Sequence, residues 1–337
     1  MAVSTRLVKE LISDLPLANL SYAFAYGSGA VSQANERMED KMVDLVLCSK
    51  DPTVFHEENL KMNASHYSFV RFFGPPAIAR LQNAAAQVYY NTQIRTSTGR
   101  MIKYGVISEQ SLKTDLLDWR WLYIAGRLQK PVVDVIEPSA EISAWIVQNR
   151  LSALQSALLL LPDTFTYKEL FETLVGLSYK GDFRMIIGED KAKISKIAKG
   201  NAEKLEEVYV PLLQADDRVS VQNGTVLQRN TVISVSSLQD ASTNAIYHRL
   251  NLLPGEVVTR LLTQWNRHHR TMNDAEEVRV LFSLARRHDV ASHLEKTIST
   301  IVRDSSILQT AKNAVSAGVM RSIRYSSEKL VKWGRSL

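Results

Sequence analysis

The stretch Ser21-Tyr22-Ala23-Phe24-Ala25-Tyr26-Gly27-Ser28-Gly29, followed by Met42-Val43-Asp44-Leu45-Val46-Leu47-Cys48, decides how this chain folds. Residues 21–26 are apolar and rich in aromatics, which predicts a short buried strand. The strand runs into Gly27-Ser28-Gly29. Glycine there permits positive φ and lets backbone come close to a phosphate. Exposed N–H groups in such a turn can hold phosphate oxygens, and the Ser28 hydroxyl can add a hydrogen bond. An ordinary tight turn is the other reading of these three residues. Residues 32–41 form a polar loop in the pattern, and residues 42–48 predict a second buried strand carrying one acid, Asp44. A buried unpaired carboxylate is costly, so Asp44 needs a hydrogen bond, a cation or a strand edge.

A strand, a Gly-Ser turn and an acid on the next strand is the layout of the nucleotidyltransferase superfamily. There the turn holds a triphosphate and the acids hold Mg²⁺, whose preference is for hard oxygen ligands. The usual pattern has two acids two positions apart on the second strand. Here those positions are Met42 and Val46. A second ligand has to come from elsewhere: Asp40, Asp115, Asp118 or a more distant acid.

Outward from this centre, residues 5–15 predict a helix, interrupted by Pro16. Helices are expected over 52–63 and 75–83, and strands over 87–95 and 100–107, joined by the turn Ser97-Thr98-Gly99. Helices are expected to fill 108–128. The first 140 residues thus mix strands and helices, and the chain is mainly helical from 143 onward. Asn223-Gly224, between alternating runs in 218–228, is a hairpin signal within that helical part. The expected fold class is α+β. A nucleotidyltransferase-like mixed sheet with helices (1–140) is followed by a helical, winged-helix-like domain (141–302) and a basic amphipathic tail (303–337).

The 337 residues, 45% of them hydrophobic, suffice for a large core. A net charge of +6 suits an anionic partner without choosing among nucleotide, nucleic acid and acidic lipid. The one cysteine, Cys48, sits in an apolar run and reads as core, and no Cys/His spacing suggests zinc. No apolar stretch approaches the roughly 20 residues needed to cross a bilayer. The N-terminus has no secretory apolar segment, and Arg6 and Lys9 in an amphipathic pattern leave a short organelle signal open.

Several further blocks resemble one family. They are Ala25 to Gln33 with Met42 to Val46; Asn59 to Phe69, containing Asn63-Ala64-Ser65-His66-Tyr67-Ser68; Ile102-Lys103-Tyr104-Gly105-Val106-Ile107; Leu122 to Val132; Gly176 to Met185; and Gly188-Glu189-Asp190-Lys191. In this order they are similar to the mitochondrial translocator assembly and maintenance family, the matrix-side phosphatidate cytidylyltransferases. The resemblance implies CTP and phosphatidic acid as substrates, Mg²⁺ as cofactor, and CDP-diacylglycerol for cardiolipin as product. It also implies a peripheral position on the matrix side of the mitochondrial inner membrane.

The reaction sets an anionic phosphate oxygen against the α-phosphorus of CTP. The protein mainly has to position two anions and neutralise their charge. Gly27, Ser28 and Gly29 would cradle the triphosphate and Asp44 would hold Mg²⁺. Asp182, in Lys180-Gly181-Asp182-Phe183-Arg184, is the candidate second carboxylate, with a salt-bridged loop acid as its alternative. Arg184 and Lys191 would clamp phosphate, or else lie as ordinary surface cations. Lys103 and Tyr104 are neighbours on a strand and face opposite ways, so at most one reaches the substrate directly, and Lys103 is favoured. Arg127 and Lys130 share a helix face and would bind pyrophosphate or the lipid phosphate, unless that face is merely solvated. His66 is a candidate binding residue, set against a satisfied core histidine.

Ala311, Val315, Val319, Ile323, Leu330 and Trp333 fall on one helical stripe among Lys312, Arg321, Arg324, Lys329, Lys332 and Arg335. Such a helix suits an anionic membrane surface, and packing against the body of the protein is the alternative. No pattern of alternating aromatics and cations marks strand binding, so nucleic acid is not expected as a partner. A homo-oligomer is left open. Two other functions compete: a nucleotidyltransferase with a different acceptor, and a non-catalytic peripheral membrane protein that aids translocator assembly.

Overall fold

The computed structural model describes residues 9–27, 29–30, 42–185, 192–221, 236–269 and 276–317. Its centre is a five-stranded sheet in the order β3-β4-β2-β1-β5, formed by β1 (Leu20–Tyr26), β2 (Val43–Ser49), β3 (Tyr89–Arg95), β4 (Met101–Ser108) and β5 (Val133–Ile136). Only β2 and β4 run parallel; the other pairs are antiparallel. The first two strands are where the sequence places them, and β1 is buried along most of its length. The short β5 carries no strong sequence signal. It pairs with β1 and fixes Tyr22, whose hydroxyl donates to Asp134 at 2.6 Å.

Helices α1 (Pro52–Asn63) and α2 (Gly74–Gln82) lie between β2 and β3. Asp51 caps α1 by accepting from the Thr53 and Val54 amides, and Pro52 opens the helix. After β4 come α3 (Glu109–Asp118) and the short α4 (Ala125–Leu128). The helices expected over 108–128 are thus interrupted. Trp119 turns left-handed at φ 53°, and the buried Asp115 carboxylate accepts from the amides of Trp121, Tyr123, Ile124 and Ala125. One carboxylate stitches this irregular segment, which a periodicity argument cannot foresee.

The rest is mainly helical: α5 (Ala140–Leu160), α6 (Tyr167–Gly176), α7 (Lys193–Gly200), α8 (Ala202–Gln214), α9 (Thr243–Asn251), α10 (Gly255–His269), α11 (Glu277–Ala285) and α12 (Val290–Ala317). A small antiparallel sheet, β6-β8-β7, joins β6 (Thr164–Thr166), β7 (Val219–Val221) and β8 (Ser236–Gln239) beside them. The Asn223-Gly224 signal lies outside the described residues, but the strands flanking it do pair. Helices with a small sheet match the expected winged-helix-like character, and the α+β class holds throughout.

Two apolar layers flank the large sheet. Leu11, Ala23, Ala25, Leu45, Leu47, Phe55 and Tyr104 make one. The other runs from Tyr22, Phe24, Val46 and the buried Cys48 on the sheet, through Trp119 and Leu154, to Ile301 and Val302. This second core crosses the expected boundary at 140, so both parts of the chain share it. The boundary at 302 falls inside α12, which runs on to residue 317. Gln309 there donates to the Val88 carbonyl at 2.9 Å. Lys312, expected among the membrane-facing cations of the tail, is buried and donates to the carbonyls of Gln82 and Ala84, the packing given as the alternative. Residues 303–317 therefore belong to the body of the protein, and the rest of the basic stripe lies outside the described residues.

Candidate active site

The turn after β1 meets β2 at its first residues. Gly27 has φ +76°, and a Cβ there would sit 3.8 Å from Asp44 Oδ2. At Gly29 a Cβ would collide with the Met42 carbonyl, so only glycine lets this turn lie on β2. Ser28 lies outside the described residues.

Register then fixes the neighbours of Asp44. It lies opposite Tyr26 on β1 and beside Lys103 on β4, with all three on one face of the sheet. Lys103 Nζ is 3.3 Å from Asp44 Oδ1 and 4.7 Å from the centre of the Tyr90 ring. The ion pair lacks hydrogen-bond alignment, so the buried Oδ1 accepts no hydrogen bond. An acceptor left over in this way is suited to a cation or a donor brought by a ligand.

From there a ring of aromatic and cationic side chains closes. Tyr90 and Tyr123 have ring centres 6.4 Å apart. The Arg127 guanidinium lies 4.1 Å from the Tyr123 ring and 5.0 Å from that of Tyr26, which returns to Asp44. Arg127 also donates to the Tyr123 carbonyl, while its Nε has no hydrogen-bond partner. Burial pushes the Tyr123 hydroxyl up, but the fields of Arg127, Arg184 and Lys103 outweigh it and hold its pKa below the usual phenol value. The charges of three cations therefore act on one hydroxyl.

Lys130, a turn beyond Arg127, donates to Ser178 Oγ at 2.8 Å and to the Gly126 carbonyl. Lys130 and Lys193 both face the Tyr179 ring, at 5.3 and 5.2 Å. Desolvation, then Arg127 and Lys193, lower the Lys130 pKa to about 7. Arg184 grips Asp182 through Nε at 3.0 and 3.1 Å and through Nη2 at 2.5 Å. The Arg184 amide also donates to Asp182 Oδ1 at 3.0 Å. Five cations, Lys103, Arg127, Lys130, Arg184 and Lys193, thus stand with two acids, Asp44 and the already paired Asp182. A surplus of this kind suits polyphosphate.

A sequence profile of the family described as phosphatidate cytidylyltransferase, mitochondrial, matches residues 8–332. The chain belongs to this family. A Caenorhabditis elegans protein named phosphatidate cytidylyltransferase, mitochondrial, is 53% identical over 97% of this chain and 98% of its own length. Relatives with the same name from Xenopus laevis and Mus musculus are each 40% identical, over 98% and 96% of this chain and 95% and 94% of theirs. The family that the sequence blocks resemble is the one to which the chain belongs.

Within this cytidylyltransferase chain, the structure brings Gly27, Gly29, Asp44, Lys103 and Arg127 together, with Lys130 and Arg184 continuing the cationic wall. Tyr104 and His66 are not brought to Asp44. Strand alternation turns Tyr104 to the opposite face, where its hydroxyl accepts from Asn59 at 2.8 Å and lies 2.8 Å from His66 Nδ1. Of the alternative second ligands, Asp115 has its oxygens filled by backbone amides, Asp182 is occupied by Arg184, and Asp40 lies outside the described residues. Lys191 also lies outside them. No cluster of three or more His, Cys, Asp or Glu is found among the described residues.

Sequence reasoning did not assign Tyr26, Tyr90, Tyr123, Ser178, Tyr179 or Lys193 to this site. Tyr26, Tyr123, Ser178 and Tyr179 all stand inside the family-like blocks, and that was the signal available. Nothing local marks Tyr90 or Lys193.

Proposed function

We propose that this chain transfers CMP from CTP to phosphatidic acid, forming CDP-diacylglycerol and pyrophosphate. A phosphate oxygen of phosphatidic acid attacks the α-phosphorus of CTP, and the bond to the β-phosphate oxygen breaks. The nucleophile is already an anion, so the site needs placement and charge neutralisation more than a base. The observation that carries the reading is the ring of Asp44, Lys103, Tyr90, Tyr123, Arg127 and Tyr26 beside the Gly27 turn, in a chain of this family.

In this reading the turn at Gly27 to Gly29 takes the triphosphate. Lys103 and Arg127 neutralise charge on the transferred and leaving phosphates. Lys130 and Arg184 hold the second anion, and Asp182 orients Arg184. Asp44 fits a Mg²⁺ ligand through its unmatched buried oxygen, whereas Asp182 offers no free oxygen unless Arg184 moves. Mg²⁺ would add positive charge against the triphosphate. No described helix is long and apolar enough to cross a membrane. A peripheral enzyme on the matrix face of the mitochondrial inner membrane, supplying CDP-diacylglycerol for cardiolipin, fits such a chain and a lipid substrate.

A purely non-catalytic role in translocator assembly gives no account of Asp44, Lys103 and Arg127 gathered beside the Gly27 turn. The test is to incubate the full chain with radiolabelled CTP, phosphatidic acid and Mg²⁺ and to follow label into lipid. Labelled CDP-diacylglycerol is expected; none from well-folded protein would overturn the proposal.

A further inference from the structure

Three phenylalanines stand in water on one short turn. In the 3-10 segment Phe69–Phe73, Phe69, Phe72 and Phe73 are 50%, 76% and 68% exposed. Phe69 and Phe73 meet edge to face at 6.3 Å, and the Arg71 guanidinium lies 4.9 Å from the Phe72 ring, so they form one patch. Met62, 57% exposed, is near in sequence on α1. Isolated exposed apolar residues are ordinary, but three exposed rings clustered beside an arginine mark an interaction surface.

The patch stands on a firm base. Tyr67, Val70 and Ile78 are buried beneath it in a small core of their own with Tyr89. The Ser68 hydroxyl donates to the Ser316 carbonyl at 2.5 Å, which ties the turn to the end of α12. Beyond Gly74, Pro75-Pro76 limit the backbone. The aromatics are therefore held outward and cannot collapse into the core.

Charge selects the occupant. Arg71 lies against the Phe72 ring, Arg80 is exposed on the following helix, and from Asn59 to Ser108 the sequence holds no Asp or Glu. A second copy of the chain would bring the same cations to this face. The chain's own residues 318–337 carry five cations and one acid, so they too are a poor cover for Arg71 and Arg80. An anionic bilayer supplies both an apolar phase for the rings and negative headgroups for the arginines. We infer that Phe69, Phe72 and Phe73, flanked by Arg71 and Arg80, form an aromatic anchor that inserts into an anionic lipid surface. The choice of lipid as partner rests on the proposed lipid substrate.

The test is a Phe72→Cys variant of the full chain carrying an environment-sensitive dye. The natural Cys48 is buried, so labelling is selective. Vesicles of phosphatidylcholine with phosphatidylglycerol serve as probe, since this lipid is anionic but is not the proposed substrate. A blue shift, with quenching by spin-labelled acyl chains, is expected on these vesicles and not on pure phosphatidylcholine. A dye that does not respond overturns the inference. So does one already shifted without vesicles, which would place the chain itself over the patch.

In parallel, Phe69→Ser, Phe72→Ser and Phe73→Ser together should weaken vesicle binding at least about tenfold. The same variant should keep parent activity on dispersed short-chain phosphatidic acid. Unchanged vesicle affinity again overturns the inference. Dye insertion without any CDP-diacylglycerol formation by the parent would remove the functional proposal and leave the anchor standing.

Discussion

The two faces of the central sheet carry polar groups only one residue apart in sequence, yet they are in opposite states. On one face Asp44 and Lys103 sit side by side, and Asp44 Oδ1 accepts no hydrogen bond. On the other, the Tyr104 hydroxyl takes a donor from Asn59 and meets His66, while His56 lies between the Tyr67 hydroxyl at 2.8 Å and Gln82 at 2.9 Å. Buried polar groups that satisfy one another hold a fold together. A buried acceptor left without a donor is a place for something the chain does not contain. Hydrogen bonding is denser on the Tyr104 face, although Gln82 Nε2 and Asn91 Nδ2 there also lack a partner.

The largest expected effect is on the Asp44 face. Asp44→Asn should lower the rate of CMP transfer at least about a hundredfold and lower the melting temperature slightly, because Lys103 loses its ion-pair partner. Tyr104→Phe is the counterpart. It should leave activity within about twofold and lower unfolding free energy by about 1–3 kcal/mol, since Asn59 and His66 lose their shared partner. An inactive but stable Tyr104→Phe protein would break the division between the faces.

Next in size comes the Asp182–Arg184 pair. If Asp182 serves to aim Arg184, Arg184→Gln should cost about tenfold or more in kcat/KM and Asp182→Asn less, with the Mg²⁺ dependence of the parent kept. A loss in Asp182→Asn as large as that in Asp44→Asn, with a shifted Mg²⁺ titration, would make Asp182 a metal ligand instead.

A smaller effect follows from Lys130. Its pKa of about 7 means that the free protein loses this positive charge as pH rises through neutrality. KM for the anionic substrates should rise severalfold across that range, measured by steady-state kinetics, and Lys130→Arg should flatten the profile. A profile equally steep in the arginine variant would exclude Lys130 as its source.

The smallest effect on activity, and a measurable one on stability, belongs to His56. Burial lowers its pKa from 6.5 to about 4. Between those values the unfolded chain binds a proton that the folded chain refuses, so stability falls as pH drops through this window. The loss is at most about 3 kcal/mol. Denaturant titrations of the parent and His56→Gln should show the parent losing more on acidification.

Much of the fold was legible because its signals are local. The apolar runs around Asp44, the Asp51-Pro52 start of α1 and the Gly99 turn each announce their own structure. Other parts were not. The short strand β5 forms because β1 offers an edge, and the loop before α4 exists because Asp115 gathers four amides. Within the site, the motifs pointed to the Gly27 turn and Asp44, whereas Tyr90 and Lys193 come from segments far apart in the chain.

By itself the sequence determined the α+β class, the Gly27-Ser28-Gly29 turn beside Asp44, and membership of the family. These depend on short-range spacing and on ordered blocks. Only the tertiary structure decided the company of Asp44. Strand register chose Lys103 over Tyr104 and drew Arg127 and Tyr90 around it. It also gave the Asp182 carboxylate to Arg184 and folded residues 303–317 into the body. Register and long-range packing are set by the whole core, and no window of sequence contains them.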